Sequence, residues 1–154
     1  EQFGGHKYAA GLTLSPDQYI PFKEKFEAVV KKTIDKELLI PEIAIDSPLE
    51  LSDITPKFFR ILKQMGPFGP KNMKPVFTTN AVRDNGYGKR VGADKSHLKL
   101  NIINGADQKT YNAIGFGLGD KITSTQNDFD IAYNLDENEW NGNTSIQLLI
   151  KDIK

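Results

Sequence analysis

Cysteine is absent from these 154 residues, which excludes disulfides and thiolate metal sites and is compatible with a reducing compartment. Histidine is nearly absent too: His6 and His97 stand far apart, neither within a His/Asp/Glu cluster at ligand spacing. We therefore expect no metal bound by this chain alone. No apolar run approaches the roughly 20 residues that cross a bilayer, and no basic-then-apolar leader opens the chain. A G-x-S-x-G elbow and a Walker-type phosphate loop are also missing, so no complete catalytic apparatus is expected. The first residue is Glu1 rather than Met, and a Gly-rich stretch follows at once. That opening leads us to expect a fragment of a longer protein.

What is present is a globular composition, 38% hydrophobic and 26% charged, with length for one ordinary domain or a small domain plus part of another. Net charge is zero but unevenly spread. Residues 1–54 carry six basic and ten acidic residues (−4), 55–99 ten and two (+8), and 110–150 one and six (−5). Either the surface is polarised, its basic block following a phosphate backbone, or folding intermixes the blocks.

Two helices are legible. In the first, residues 15–34, Ser15 is placed to cap, Pro16 suits the first position and Gln18 completes a capping box. Tyr19, Phe22, Phe26, Val29 and Val30 recur as one apolar stripe. The second runs from the Thr55 cap through Pro56 to Gly66. Residues 42–46 alternate as a short strand, and "PFGPKNMKP" is a turn-rich connector. From Val76 on, short alternating segments follow. Leu98, Leu100 and Ile102 share one strand face, with His97, Lys99 and Asn101 on the other. Phe129–Leu135 and Ile146–Ile150 alternate likewise, around the hairpin turn Asn141-Gly142. The spacing suggests five strands in a small closed barrel, of which the OB-fold is the simplest; an open antiparallel sheet is the alternative.

Few residues carry chemistry. In "GGHKYAAG", Gly4 and Gly5 let a ligand approach the backbone, and His6 can donate to a phosphate oxygen, with Ala9–Gly11 expected as a short helical turn behind it. The other reading is a glycine turn with a packed histidine. "DNGYGKRVG" sets Tyr87 between glycines with Lys89 and Arg90 just beyond, the aromatic-plus-cation combination of single-strand binders, or else an ordinary hairpin. His97 and Lys99 either continue that track or are merely solvated. Trp140 is expected to cover a barrel end. Asp128, Asp130, Asp136, Glu137 and Glu139 read as an acidic outer face rather than a cation site.

"GGHKYAAG", a helix, "PFGPKNMKPVF", "HLKL", "AIGFG" and "WNGNTSIQLLIKDI", in this order, resemble the C-terminal part of the RecJ family, single-strand-specific 5′→3′ DNA exonucleases of the DHH phosphoesterase superfamily. The resemblance spans essentially the whole chain. It implies an α+β fold in which a partial DHH-associated α/β segment, residues 1–48, and a linker helix and turn, 49–69, precede a five-stranded antiparallel OB-fold barrel, 70–154. It further implies that Gly4, Gly5 and His6 hold the DNA phosphate, and that the catalytic residues with their manganese or magnesium lie upstream, none of them in this chain. The function implied is to hold single-stranded DNA for hydrolysis, in repair and recombination, in a cytoplasmic setting. As candidates for DNA contact we name Lys71, Tyr87, Lys89, Arg90, His97 and Lys99; Lys71 stands where the family commonly has glycine. The alternative function is a structural clamp, or a docking surface for a partner such as a single-strand-binding protein.

Overall fold

The structure, a computed structural model, describes residues 2–104 and 107–154, and of residues 107 and 108 the backbone alone. The chain divides into two compact units, Glu1–Glu42 and Ile43–Lys154.

The first unit is a β-hairpin and a helix. Strand β1 (Gln2–His6) pairs antiparallel with β2 (Ala9–Thr13), His6 opposite Ala9 and Gly4 opposite Gly11. The helical turn expected at Ala9–Gly11 is therefore a strand: two-residue hairpin geometry at Lys7-Tyr8 returns the chain directly into pairing. A 3₁₀ turn (Pro16–Gln18) leads into helix α1 (Tyr19–Thr33). Ser15 makes no capping hydrogen bond, and the Gln18 side chain donates to Asp17 at 2.9 Å, so the capping box does not form. The apolar stripe of α1 does form, with Phe22 and Phe26 stacked at 5.7 Å, yet none of its residues is buried.

The second unit is organised by one seven-stranded sheet in the order β3-β4-β8-β9-β7-β6-β5. Its strands are β3 (Ser47–Pro48), β4 (Phe77–Asp84), β5 (Lys89–Val91), β6 (His97–Asn104), β7 (Asp107–Gly115), β8 (Phe129–Trp140) and β9 (Asn143–Ile153). Because β4 also pairs β6, through Arg83↔Ile103 and Asp84↔Ile102, five of these strands return on themselves as β4-β8-β9-β7-β6-β4. The expectation of five antiparallel strands is thus corrected. There are seven, and the β3–β4 and β7–β9 pairs are parallel. The strand expected at 42–46 lies at Ser47–Pro48, where backbone pairing with Phe77 and Thr78 is available.

A bulge lets β4 serve two partners. Its register with β8 shifts between Thr79 and Val82, and Ala81, at φ 51°, donates its N–H to Asp130 Oδ1 at 2.9 Å. The bulge bends the strand, so its end turns towards β6. The alternating apolar residues meet inside: Val82, Leu98, Ile102, Ala113, Tyr133, Leu135 and Leu148 are wholly buried. The Tyr133 hydroxyl bonds Thr79 Oγ1 at 3.0 Å, and Thr79 donates to Leu49 O at 2.6 Å. Helix α2 (Pro56–Gln64) follows the Thr55 cap, whose side chain accepts from Phe58 N at 3.1 Å. Its Phe59 and Leu62, with Leu51 and Ile54, belong to this core.

Candidate nucleic-acid interface

Strand pairing decides which of the sequence-derived candidates share a surface. On β5 and β6, Lys89 stands opposite Lys99 and Val91 opposite His97, while Arg90 stands opposite the buried Leu98. Lys89 and Lys99 are therefore cross-strand neighbours on the outer face, both exposed. Neither has an ion-pair partner among the described residues. Like charges directly opposite in a sheet repel, and an anion between them relieves that. Arg90 points to the other side and bonds Asp120 at 3.2 Å. It does not join the pair.

Tyr87 is carried by a loop that Asp84 organises. One carboxylate oxygen accepts from Gly86 N (2.9 Å) and Gly88 N (2.7 Å), the other from Asn101 N (2.9 Å). Gly86 sits at φ 93°, a conformation that side chains rarely adopt. The loop thus projects Tyr87, 73% exposed, from a fixed base on β6. Sequence reasoning missed Asp84, although an Asp two residues before a glycine is a recognisable Asx-turn signal.

His97 is half-buried, and its Nδ1 accepts the Gly117 N–H at 3.1 Å while its ring meets Phe116 edge-on at 5.1 Å. It therefore braces the turn after β7 rather than offering a free ring. Phe116, 63% exposed, is an aromatic the sequence reading passed over. Only its position directly after a strand-end glycine could have flagged it. Lys71 stands apart, in the connector turn closed by Gly69 and Asn72.

Three of the five acids in the run, Asp128, Asp136 and Glu137, form ion pairs. Asp128 takes both an Nε and an Nη2 bond from Arg83, which holds its carboxyl below the usual carboxylate range. Asp136 meets Lys74 at 3.0 Å and Glu137 meets Lys63 at 2.6 Å. With Arg90–Asp120, four bridges join the basic block to the acidic one, so folding intermixes the charges. Among the described residues no group of three His, Asp or Glu converges as metal ligands. Trp140 corrects its expectation. It ends β8 beside the Asn141-Gly142 turn (φ 50° and 75°) and is 73% exposed, so it covers no barrel end.

In the first unit, a Cβ placed on Gly4 or Gly11 would meet nothing within 4 Å, which leaves one bare, open patch of backbone. Gly5 is different, because a Cβ there would strike Ala10 at 2.7 Å. His6 Nδ1 accepts from Tyr8 N at 3.3 Å. In the neutral ring that leaves Nε2 as the N–H donor. A groove of about 650 Å³ lies along this hairpin, lined by Phe3, Gly4, Gly5 and His6 and by Phe22 and Phe26 of α1.

Comparison with known proteins agrees with this architecture. The chain is 31% identical over 153 residues to the single-stranded-DNA-specific exonuclease RecJ of Bacillus subtilis and 30% over 156 residues to that of Escherichia coli. Those alignments cover 97% and 99% of this chain but 19% and 26% of the relatives, so the chain spans a minor part of their length. A crystal structure of Thermus thermophilus RecJ in complex with Mg²⁺ superposes with a TM-score of 0.72 at 25% identity, over 99% of this chain and 23% of that one. A second, in complex with Mn²⁺, gives 0.68. Residues 45–152, nearly the whole second unit, match the RecJ OB domain, and the chain belongs to that family.

Proposed function

We propose that this chain grips single-stranded DNA for a metal-dependent 5′→3′ exonuclease whose hydrolytic centre lies outside it. The observation that carries the reading is the Lys89–Lys99 cross-strand pair, two exposed like charges held together beside the projecting Tyr87. That arrangement suits a phosphate bridged by the lysines and a base stacked on the ring, and OB-folds use such faces and loops for single strands. Gly4, Gly5 and His6 form a second contact in this reading. The bare backbone at Gly4 admits a phosphate and His6 Nε2 donates to it. We read the closed set of strands as the OB barrel, residues 70–154, and residues 1–48 as the end of the DHH-associated domain.

A protein-docking role has one observation in its favour, the bridges that neutralise four of the ten basic residues of the 55–99 block. One experiment separates the two. Labelled oligothymidine is titrated with the chain in the presence of manganese and then sized on a denaturing gel. We expect binding that leaves the strand intact and that Tyr87→Ala weakens about tenfold, the value of one stacked base. Absence of binding favours docking, and a shortened strand contradicts the assignment of hydrolysis to another part of the protein.

A further inference from the structure

Strand β6 has an exposed aromatic at each end of its outer face. Tyr87 stands at the Asn101 end, because Asp84, which sets its loop, also bonds Asn101 N at 2.9 Å. Phe116 stands at the other end. Leu98 pairs with Gly115, and the next residue of the chain brings the Phe116 ring 5.1 Å from that of His97, edge-on. Between the two lies the Lys89–Lys99 pair. From Asn101 to His97 the strand rises about 13 Å.

The turn that carries Phe116 holds it outward. Gly117 sits at φ 73° and its N–H is bonded to His97 Nδ1 at 3.1 Å. Gly119 packs so closely that a Cβ there would lie 2.5 Å from Lys95 O, and its N–H bonds Ser96 O at 2.8 Å. An edge-on contact takes at most one face of the phenyl ring, so a face stays open on a side chain 63% exposed. Lys95 and Lys99 flank His97, both exposed and without an ion pair among the described residues. The neighbouring acids are engaged: Asp94 accepts from Ser96 N at 3.1 Å, and Asp120 meets Arg90 at 3.2 Å.

We propose that Phe116 is a second stacking platform for a base, so that single-stranded DNA runs along β6 from Tyr87 to Phe116 with its phosphates at Lys99 and Lys95. This rests on single-strand binding at Tyr87 and the lysine pair, and adds to it a contact and a path. An open ring face among unpaired cations suits a ligand that is flat and anionic at once, which a nucleotide is and an apolar side chain is not.

Affinities of the whole chain are measured by anisotropy for labelled oligothymidine and for an abasic strand of the same length. Phe116→Ala weakens oligothymidine about tenfold, as loss of one stacked base does, and leaves the abasic strand unchanged. Phe116→Trp keeps the affinity, and its emission falls on adding oligothymidine beyond any change that the native chain shows from Trp140. Lys95→Ala weakens both strands, and unchanged affinity there contradicts the path. If Phe116→Ala binds oligothymidine as the native chain does while Tyr87→Ala does not, the second platform is refuted and the proposed function stands. Equal losses on the two strands also refute it, because they make Phe116 a prop for the fold. A native chain that binds no oligothymidine overturns both together.

Discussion

Lys71 holds φ 70° as the second central residue of the turn from Gly69 to Asn72, with Pro70 before it. This is the geometry of a type II turn, whose second central position favours glycine. A left-handed conformation costs an L-residue about 1–2 kcal/mol, and glycine gives part of that back through its freer unfolded chain. Lys71→Gly is therefore expected to raise stability by about 0.5–1 kcal/mol, seen as a melting temperature up by about 2–3 °C. A fall would mean that the lysine side chain contributes a contact of its own. Tyr133 presents the opposite case, a side chain the interior demands. Burial, the largest influence, pushes its hydroxyl from 10.0 up to about 12, against the opposing hydrogen bond to Thr79. Folded protein thus holds the proton more tightly than unfolded chain. The resulting stability is fully present below about pH 10 and is lost as pH rises towards about 12. Urea midpoints for the native chain and Tyr133→Phe should run parallel up to pH 10 and converge above it.

At the scale of the element, the loop before β5 depends on one carboxylate. Asp84 satisfies three backbone N–H groups, and no other side chain among the described residues bonds those of Gly86 and Gly88. Asp84→Ala should cost about 2–3 kcal/mol in a urea titration, and should lower oligothymidine affinity as far as Tyr87→Ala does, because the ring loses its fixed base. An Asp84→Ala chain with native affinity would show that Tyr87 needs no such positioning. Much of the element pattern was legible. The Thr55-Pro56 start of α2, the alternation of β6, β8 and β9 and the Asn141-Gly142 turn rest on local chemistry that tertiary context did not override. The bulge of β4 was not, because Ala81 carries no sign of φ 51°; the Asp130 bond and the need to reach β6 impose it. The capping box at Ser15 does not form, because the Gln18 amide donates to its neighbour Asp17 instead.

Across the whole chain, the charge blocks are separate in sequence and interleaved by the fold. Lys63, Lys74, Arg83 and Arg90 are each bridged to an acid from residues 110–150. Such exposed bridges add little stability, but they remove those cations from the long-range field. What a sequence count reads as a block of +8 thus reduces, on the outer face of β5 and β6, to Lys89 and Lys99. Of the candidate site, Tyr87, Lys89 and Lys99 were legible because loop chemistry and period-2 alternation place them. The diversion of Arg90 to Asp120 and of His97 to the Gly117 turn was not, since each depends on a segment distant in sequence. The most direct measurement is the salt dependence of oligothymidine affinity for the native chain and for the Lys89→Ala/Lys99→Ala double variant. If both lysines neutralise phosphates, the slope of log affinity against log salt falls in magnitude by about 1.4 in the double variant, about 0.7 per phosphate contact on a single strand. An unchanged slope would contradict the account.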